Sequence, residues 1–169
     1  MFSKHDLCSP GLLHGKSAQL EQMPGRGIDP QRLAEIAGRI LGCPSTKIVE
    51  APGTDPIFAR AASLDAPSET PGTFADVILA SGSTLLVCNA PHHELYADFL
   101  EVQWFPRVRF VFGVPLCGSN GTLIGALTLF DFKARKRPPD ADISDVEQIG
   151  AAISYAIEAR RASVPVFAN

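Results

Sequence analysis

The chain has no basic excess, no long apolar run and no closely spaced cysteines. Fifteen Lys and Arg stand against 18 Asp and Glu, a net charge of −3. The clustered positive footprint of a nucleic-acid binder is therefore missing, and no nucleic-acid partner is expected. No apolar stretch reaches the length that spans a bilayer, so no membrane role is expected either. Residues 1–25 lack the apolar core of a secretory leader, because Leu12-Leu13 runs straight into His14-Gly15-Lys16. The cytoplasm is the expected compartment. The four cysteines, Cys8, Cys43, Cys88 and Cys117, form no C-x-x-C pair. Neither a disulfide framework nor a structural zinc site is expected from that spacing, and no metal site is read. Gly11 to Ser17 has three residues between its glycines where a phosphate-binding loop needs four, and no buried strand precedes it. What remains is 169 residues with 46% hydrophobic and 20% charged content, enough for one folded domain around one core.

The most informative stretch is Arg107 to Phe132. Val108 to Leu116 and Leu123 to Phe132 are rich in β-branched and aromatic residues, which predicts two long buried strands. Asn120-Gly121 between them predicts a tight type I′ turn with positive φ at both residues. Gly113 and Gly125 lie inside the strands and predict a bulge or a close approach by another backbone. Pro115 cannot donate to a ladder, which predicts a sheet edge or a bulge there.

The rest of the chain supplies helices and shorter strands. Residues 1–28 read as a flexible lead-in with a short helix around Ser17 to Met23. Asp29-Pro30 predicts a helix start, and Leu33, Ile36, Ala37, Ile40 and Leu41 recur at helical spacing before Gly42 stops it. Thr46 to Glu50 predicts a strand, Ile57 to Ala62 a short strand, Thr73 to Ser81 a helix and Thr84 to Cys88 a buried strand. His92 to Leu100 predicts a short helix. Ser144 with Glu147 predicts a capping box, followed by a helix to about Arg161 with Val146, Ile149, Ile153 and Ile157 on one stripe. Arg160 and Arg161 suit the negative end of its dipole. Residues 29–162 form the domain and 163–169 a tail. This order predicts an α+β fold: an antiparallel sheet with the first and last helices together on one face and a pocket on the other.

Gly113-Val114-Pro115-Leu116, Asn120-Gly121, Leu123 to Leu127, the closing Asp131 and the terminal helix from Ile143 resemble the second half of a GAF domain. The resemblance implies a three-layer α/β/α fold, GAF-like and related to PAS and profilin, in which Gly113, Pro115, Asn120, Gly121, Gly125 and Asp131 are structural. It implies a sensory or regulatory module in signal transduction that binds an unidentified small molecule or a signalling protein, with no catalytic output in this chain. It also implies a homodimer through the terminal helices. No cofactor is implied.

Seven residues are candidates for the pocket: Cys88, His92, His93, Tyr96, Trp104, Phe110 and Phe112. The two histidines sit in the densest polar cluster of the chain, although adjacent histidines rarely bind one metal. Trp104, Phe105, Phe110 and Phe112 could line an apolar pocket or belong to the core. The resemblance raises one enzymatic alternative, the free methionine-(R)-sulfoxide reductases. That class has a cysteine near Cys88 and a reactive one in the loop that corresponds to Glu101 to Arg107, where this chain has none. The chromophore-binding Cys-His pair and the cyclic-nucleotide signature of other GAF classes are also missing. A third reading is a GAF scaffold whose pocket is closed by its own side chains. Lys133, Arg135, Lys136 and Arg137 form a basic run that reads either as a solvated turn or as a dock for an acidic partner.

Overall fold

The computed structural model describes residues 27–51 and 72–163. The expected lead-in and its short helix, the strand Ile57 to Ala62 and the tail beyond residue 163 lie outside the described residues. The elements are α1 (Pro30–Leu41), β1 (Ser45–Glu50), α2 (Phe74–Ser81), β2 (Leu85–Val87), a 3-10 turn (Ala90–His92), α3 (Leu100–Gln103), β3 (Phe110–Cys117), β4 (Leu123–Asp131) and α4 (Asp140–Ser163). The four strands form one antiparallel sheet in the order β1-β4-β3-β2.

Strand alternation sorts the core into two halves. Phe110, Phe112, Val114 and Leu116 of β3 face α1 and α4, together with Leu127 and Leu129 of β4. From the helices come Ala34, Ala37, Leu41, Val146, Ile153 and Ile157. Val111 and Phe130 face the opposite way, against Phe74, Ala90, Val102 and Val108. The result is the expected three layers, with α1 and α4 on one side and α2, α3 and their loop on the other. α4 runs antiparallel to α1. Arg160 near its end pairs with the α1 cap Asp29 at 2.8 Å, and Arg161 pairs with Glu50 at the end of β1.

Asp29 caps α1 through the Gln31 N–H, with Pro30 at the first helical position. Its buried stripe is Ala34, Ala37, Gly38 and Leu41, while Ile36 faces solvent, so the apolar face is rotated from the expected one. The reason is that small residues let α1 lie close to the sheet. Both in-strand glycines mark close approaches. A Cβ on Gly125 would stand 2.6 Å from the Val49 carbonyl oxygen, and one on Gly113 would stand 2.1 Å from Ile78 Cδ1.

Three expectations need correction. The hairpin is no two-residue type I′ turn. Gly121 N–H donates to the Gly118 carbonyl, Gly118 N–H donates to that of Thr122, and Gly121 alone of the pair has positive φ, at 78°. This is a three-residue loop closed by a glycine bulge. A separate register shift at Leu116/Cys117 leaves Ile124 as the extra residue on β4. The Asn120 side chain occupies itself with the Thr122 N–H instead. Ser144 and Glu147 form no capping box. α4 starts a full turn earlier, after Pro138-Pro139, and Glu147 accepts a hydrogen bond from Thr84 Oγ at 3.1 Å. The single helix expected over His92 to Leu100 is instead a 3-10 turn, a series of turns and the four-residue α3. Pro115 stands at a local edge, as expected: β2 pairs only with Val111 to Gly113, so the ladder on that side ends before it.

Candidate functional site

Where the sequence predicts a pocket, the described residues form an aromatic cluster. α2 is fixed at its start by reciprocal bonds. Asp76 N–H donates to Thr73 Oγ, and Asp76 Oδ2 accepts from Thr73 N–H at 2.9 Å. This delivers Phe74, fully buried, onto the sheet. Its ring lies 5.6 Å from Tyr96, 5.3 Å from Phe99 and 6.4 Å from Phe130, in tilted and edge-on geometries that aromatic quadrupoles favour. His93 stacks on Tyr96 at 4.4 Å, and its Nδ1 accepts from Leu95 N–H.

The seven candidates are thus divided. His93 and Tyr96 share the α2 face. Phe110, Phe112 and Cys88 pack on the opposite side of the sheet, towards α1 and α4. His92 is exposed, and Trp104 is exposed on the turn after α3. Phe74, Phe99 and Phe130 are not among the sequence candidates for the site. The alternation that puts Leu127 and Leu129 on one face does put Phe130 on the other, so that signal was available. Among the described residues, no three His, Cys, Asp or Glu side chains gather as metal ligands, and no helix is long and apolar enough to cross a membrane.

Glu101 is a carboxylate of this face that reaches across to α2. Its Oε2 accepts from Phe74 N–H at 2.9 Å, and its main chain accepts from Val108 N–H. Burial pushes its carboxyl above the ordinary range, the Phe74 N–H and Lys47 pull it back, and Asp76 adds to the rise. The native state therefore holds this proton more tightly than the unfolded chain. Stability from this group falls as pH rises from the ordinary carboxylate value through the raised one. We expect Glu101→Gln, which keeps an acceptor for Phe74 N–H, to be more stable than wild type at neutral pH and to lose part of this slope. Urea unfolding between about pH 4 and pH 8, where only native-state shifts separate the curves, measures it. Parallel curves for the two proteins would sink the assignment.

On the other side of the sheet, Arg135 fastens the end of β4 to the end of α1. Its Nε pairs with Asp131 at 3.3 Å, its guanidinium donates to the Leu41 carbonyl and Cys43 Sγ, and it lies 5.5 Å over the Phe110 ring. Burial pushes the Cys43 thiol up to about 11 against the pull of Arg135, which leaves it protonated and unreactive at neutral pH. A cleft of about 240 Å³ beside it is lined by Leu41, Arg135 to Pro139 and Asp142. The expected basic run is thus split. Arg135 is structural, Arg137 pairs with Asp140 at 2.9 Å, and Lys133 and Lys136 are exposed. Cys43 and Cys88 are free thiols.

No family model matches the chain, and no curated protein matches it. Solved structures do. A GAF domain of a phosphoenolpyruvate-protein phosphotransferase from Coxiella burnetii is 13% identical at a TM-score of 0.55, covering 86% of this chain and 89% of that one. The free methionine-R-sulfoxide reductase of Neisseria meningitidis is 16% identical at 0.56, covering 87% and 86%. A domain of a protein described as a two-component sensor histidine kinase from Sinorhizobium meliloti is 17% identical at 0.53, covering 78% and 90%. The fold is the GAF fold, as the hairpin and its closing Asp131 imply.

Proposed function

We propose that this chain is a sensory or regulatory module of signal transduction, which takes a small molecule or a signalling partner at its α2 face and passes the change to α1 and α4. It has no catalytic output of its own. The observation that carries this reading is the division of labour across the sheet. One face holds a continuous helix layer, closed at its far end by the Asp29–Arg160 and Glu50–Arg161 pairs. The other holds short elements and turns of the kind that reshape around a ligand at low cost. The likeness to a sensor-kinase domain supports the same reading at the level of fold.

The sulfoxide reductase has a like fold but asks for a reactive thiolate and a resolving thiol. Glu101 to Arg107 holds no cysteine, Cys43 is protonated, and Cys88 packs on the side of the sheet away from Tyr96. A second reading, a scaffold with its pocket closed, is favoured by the Phe74 cluster.

Native mass spectrometry of freshly purified protein, before and after denaturation, tests the proposal. We expect a retained small molecule that denaturation releases. A bare mass under conditions that keep weak complexes intact would favour the closed scaffold. Turnover of free methionine sulfoxide with a dithiol reductant would overturn the non-catalytic reading.

A further inference from the structure

The described surface carries one group of large apolar side chains with no structural duty. Trp104 is 71% exposed, Phe105 93%, Leu100 64% and Leu95 71%. Leu100 and Trp104 are four residues apart across α3 and so share a face. Phe105 follows directly. Leu95 lies on the preceding turn, which Gln103 holds against α3 by donating to the Ala97 carbonyl at 2.7 Å. The backbone beneath is closed. Arg107 N–H donates to the Trp104 carbonyl at 2.8 Å, Val108 N–H to that of Glu101, and the Arg109 guanidinium to that of Val102. Arg107 itself is held at φ 61°, a conformation a non-glycine residue keeps only when its surroundings fix it. The aromatics are therefore presented on a firm base with little backbone left to solvate. That is the make-up of an interface hot spot, where a rigid Trp or Phe enters a dry contact at small entropic cost.

Charge points to the occupant. Exposed Glu94 and Asp98 lie on the turn before α3, and exposed Arg107 follows Phe105. Among the described residues, none of the three forms an ion pair. An apolar run with acidic residues before it and a basic residue after it can complement itself under a two-fold axis. Each Arg107 then meets the partner's acidic turn while the rings meet one another. The mixed sign does not suit an anionic membrane, which attracts a basic cluster. Two aromatic rings, each presenting on the order of 150–250 Å², together with two leucines approach the roughly 800 Å² per partner of a small specific interface.

We propose that the Leu95–Leu100–Trp104–Phe105 patch is a self-association surface that joins two copies of this chain, separate from the α1–α4 layer. Trp104 is the one tryptophan of the chain, so its emission reports this surface alone. Sedimentation velocity and tryptophan emission are followed together from about 1 to 200 µM, the range in which a modest interface shows itself. We expect a reversible dimer whose formation shifts the emission to the blue. Phe105→Ser should weaken association at least about tenfold. Arg107→Glu should weaken it too, and adding Asp98→Arg should restore it. Tyr155→Ser, on the exposed face of α4, should leave it unchanged. All these positions are exposed, so the variants fold. A monomer throughout, a dimer sensitive to Tyr155→Ser but not to Phe105→Ser, or a blue shift seen only with added phosphatidylcholine vesicles would overturn the proposal.

Discussion

Replacing Phe74 with alanine should cost about 3–5 kcal/mol of folding stability, among the largest losses of any single change in the chain. The ring is fully buried, and three other rings pack around it. Its main-chain N–H is held by Glu101 from one side while the Thr73–Asp76 capping box holds the same turn from the other. The neighbours cannot move in to fill the hole without breaking those bonds, so most of the cavity should remain. A domain of this size has about 5–15 kcal/mol in all, so the variant should stay folded only by a narrow margin. Phe74→Leu, which leaves a smaller void, should fall between it and wild type. Urea unfolding reads both. The variant also bears on function, because the cavity opens on the face where a GAF fold would take a ligand. If that face is closed in the wild type by its own side chains, Phe74→Ala should bind a small aromatic compound such as indole that wild type does not. If wild type already carries a ligand there, Phe74→Ala should lose it. A loss below about 1 kcal/mol would mean that the cluster collapses freely and holds nothing in place.

The sequence announced this architecture unevenly, for physical reasons. Local chemistry was legible. Asp29-Pro30 can begin a helix without help from the rest of the fold, and the long β-branched runs of β3 and β4 can hardly be anything else. Thr73 was read as the start of a short helix, and it is one. Faces were less legible. The run Phe110-Val111-Phe112 is apolar on both sides, so alternation alone cannot say which side meets the long helices and which meets α2. Only the pairing of β3 with its neighbours decides it, and that decision moved Phe110 and Phe112 away from His93 and Tyr96. The start of α4 was misplaced because Ser144 and Glu147 have the right spacing for a box. Pro138-Pro139 fixes the backbone one turn earlier, and the helix is already running when it reaches Ser144. The sequence places Glu101 at the start of a loop, where nothing marks it for a role. Its role comes from a residue 27 positions away.

Arg135 is the sharpest example, and Arg135→Met should cost about 2–4 kcal/mol. In the sequence it is one of four cations in a row of five residues. In the structure it is the member turned inwards, and it meets four partners at once: Asp131, the Leu41 carbonyl, Cys43 Sγ and the Phe110 ring. The Asp131 side chain, only 15% exposed, would keep a single hydrogen bond from Lys133 N–H. The Leu41 carbonyl, at the end of α1, would lose its donor. The Phe110 face would lose its cation. Each charged hydrogen bond of this kind contributes about 1.5–3 kcal/mol, and leaving a half-buried carboxylate unpaired costs more than the pair contributes. Arg135→Lys should recover less than half of the loss, because one ammonium cannot reach the carboxylate and the carbonyl in the planar fork geometry of a guanidinium. Lys136→Met, by contrast, should stay within about 0.5 kcal/mol of wild type. The two methionine variants remove the same charge from adjacent positions, so net charge cannot explain a difference between them. Equal stability would mean that Arg135 is merely another solvated cation. A large gap would make it the joint between the sheet and the helix layer.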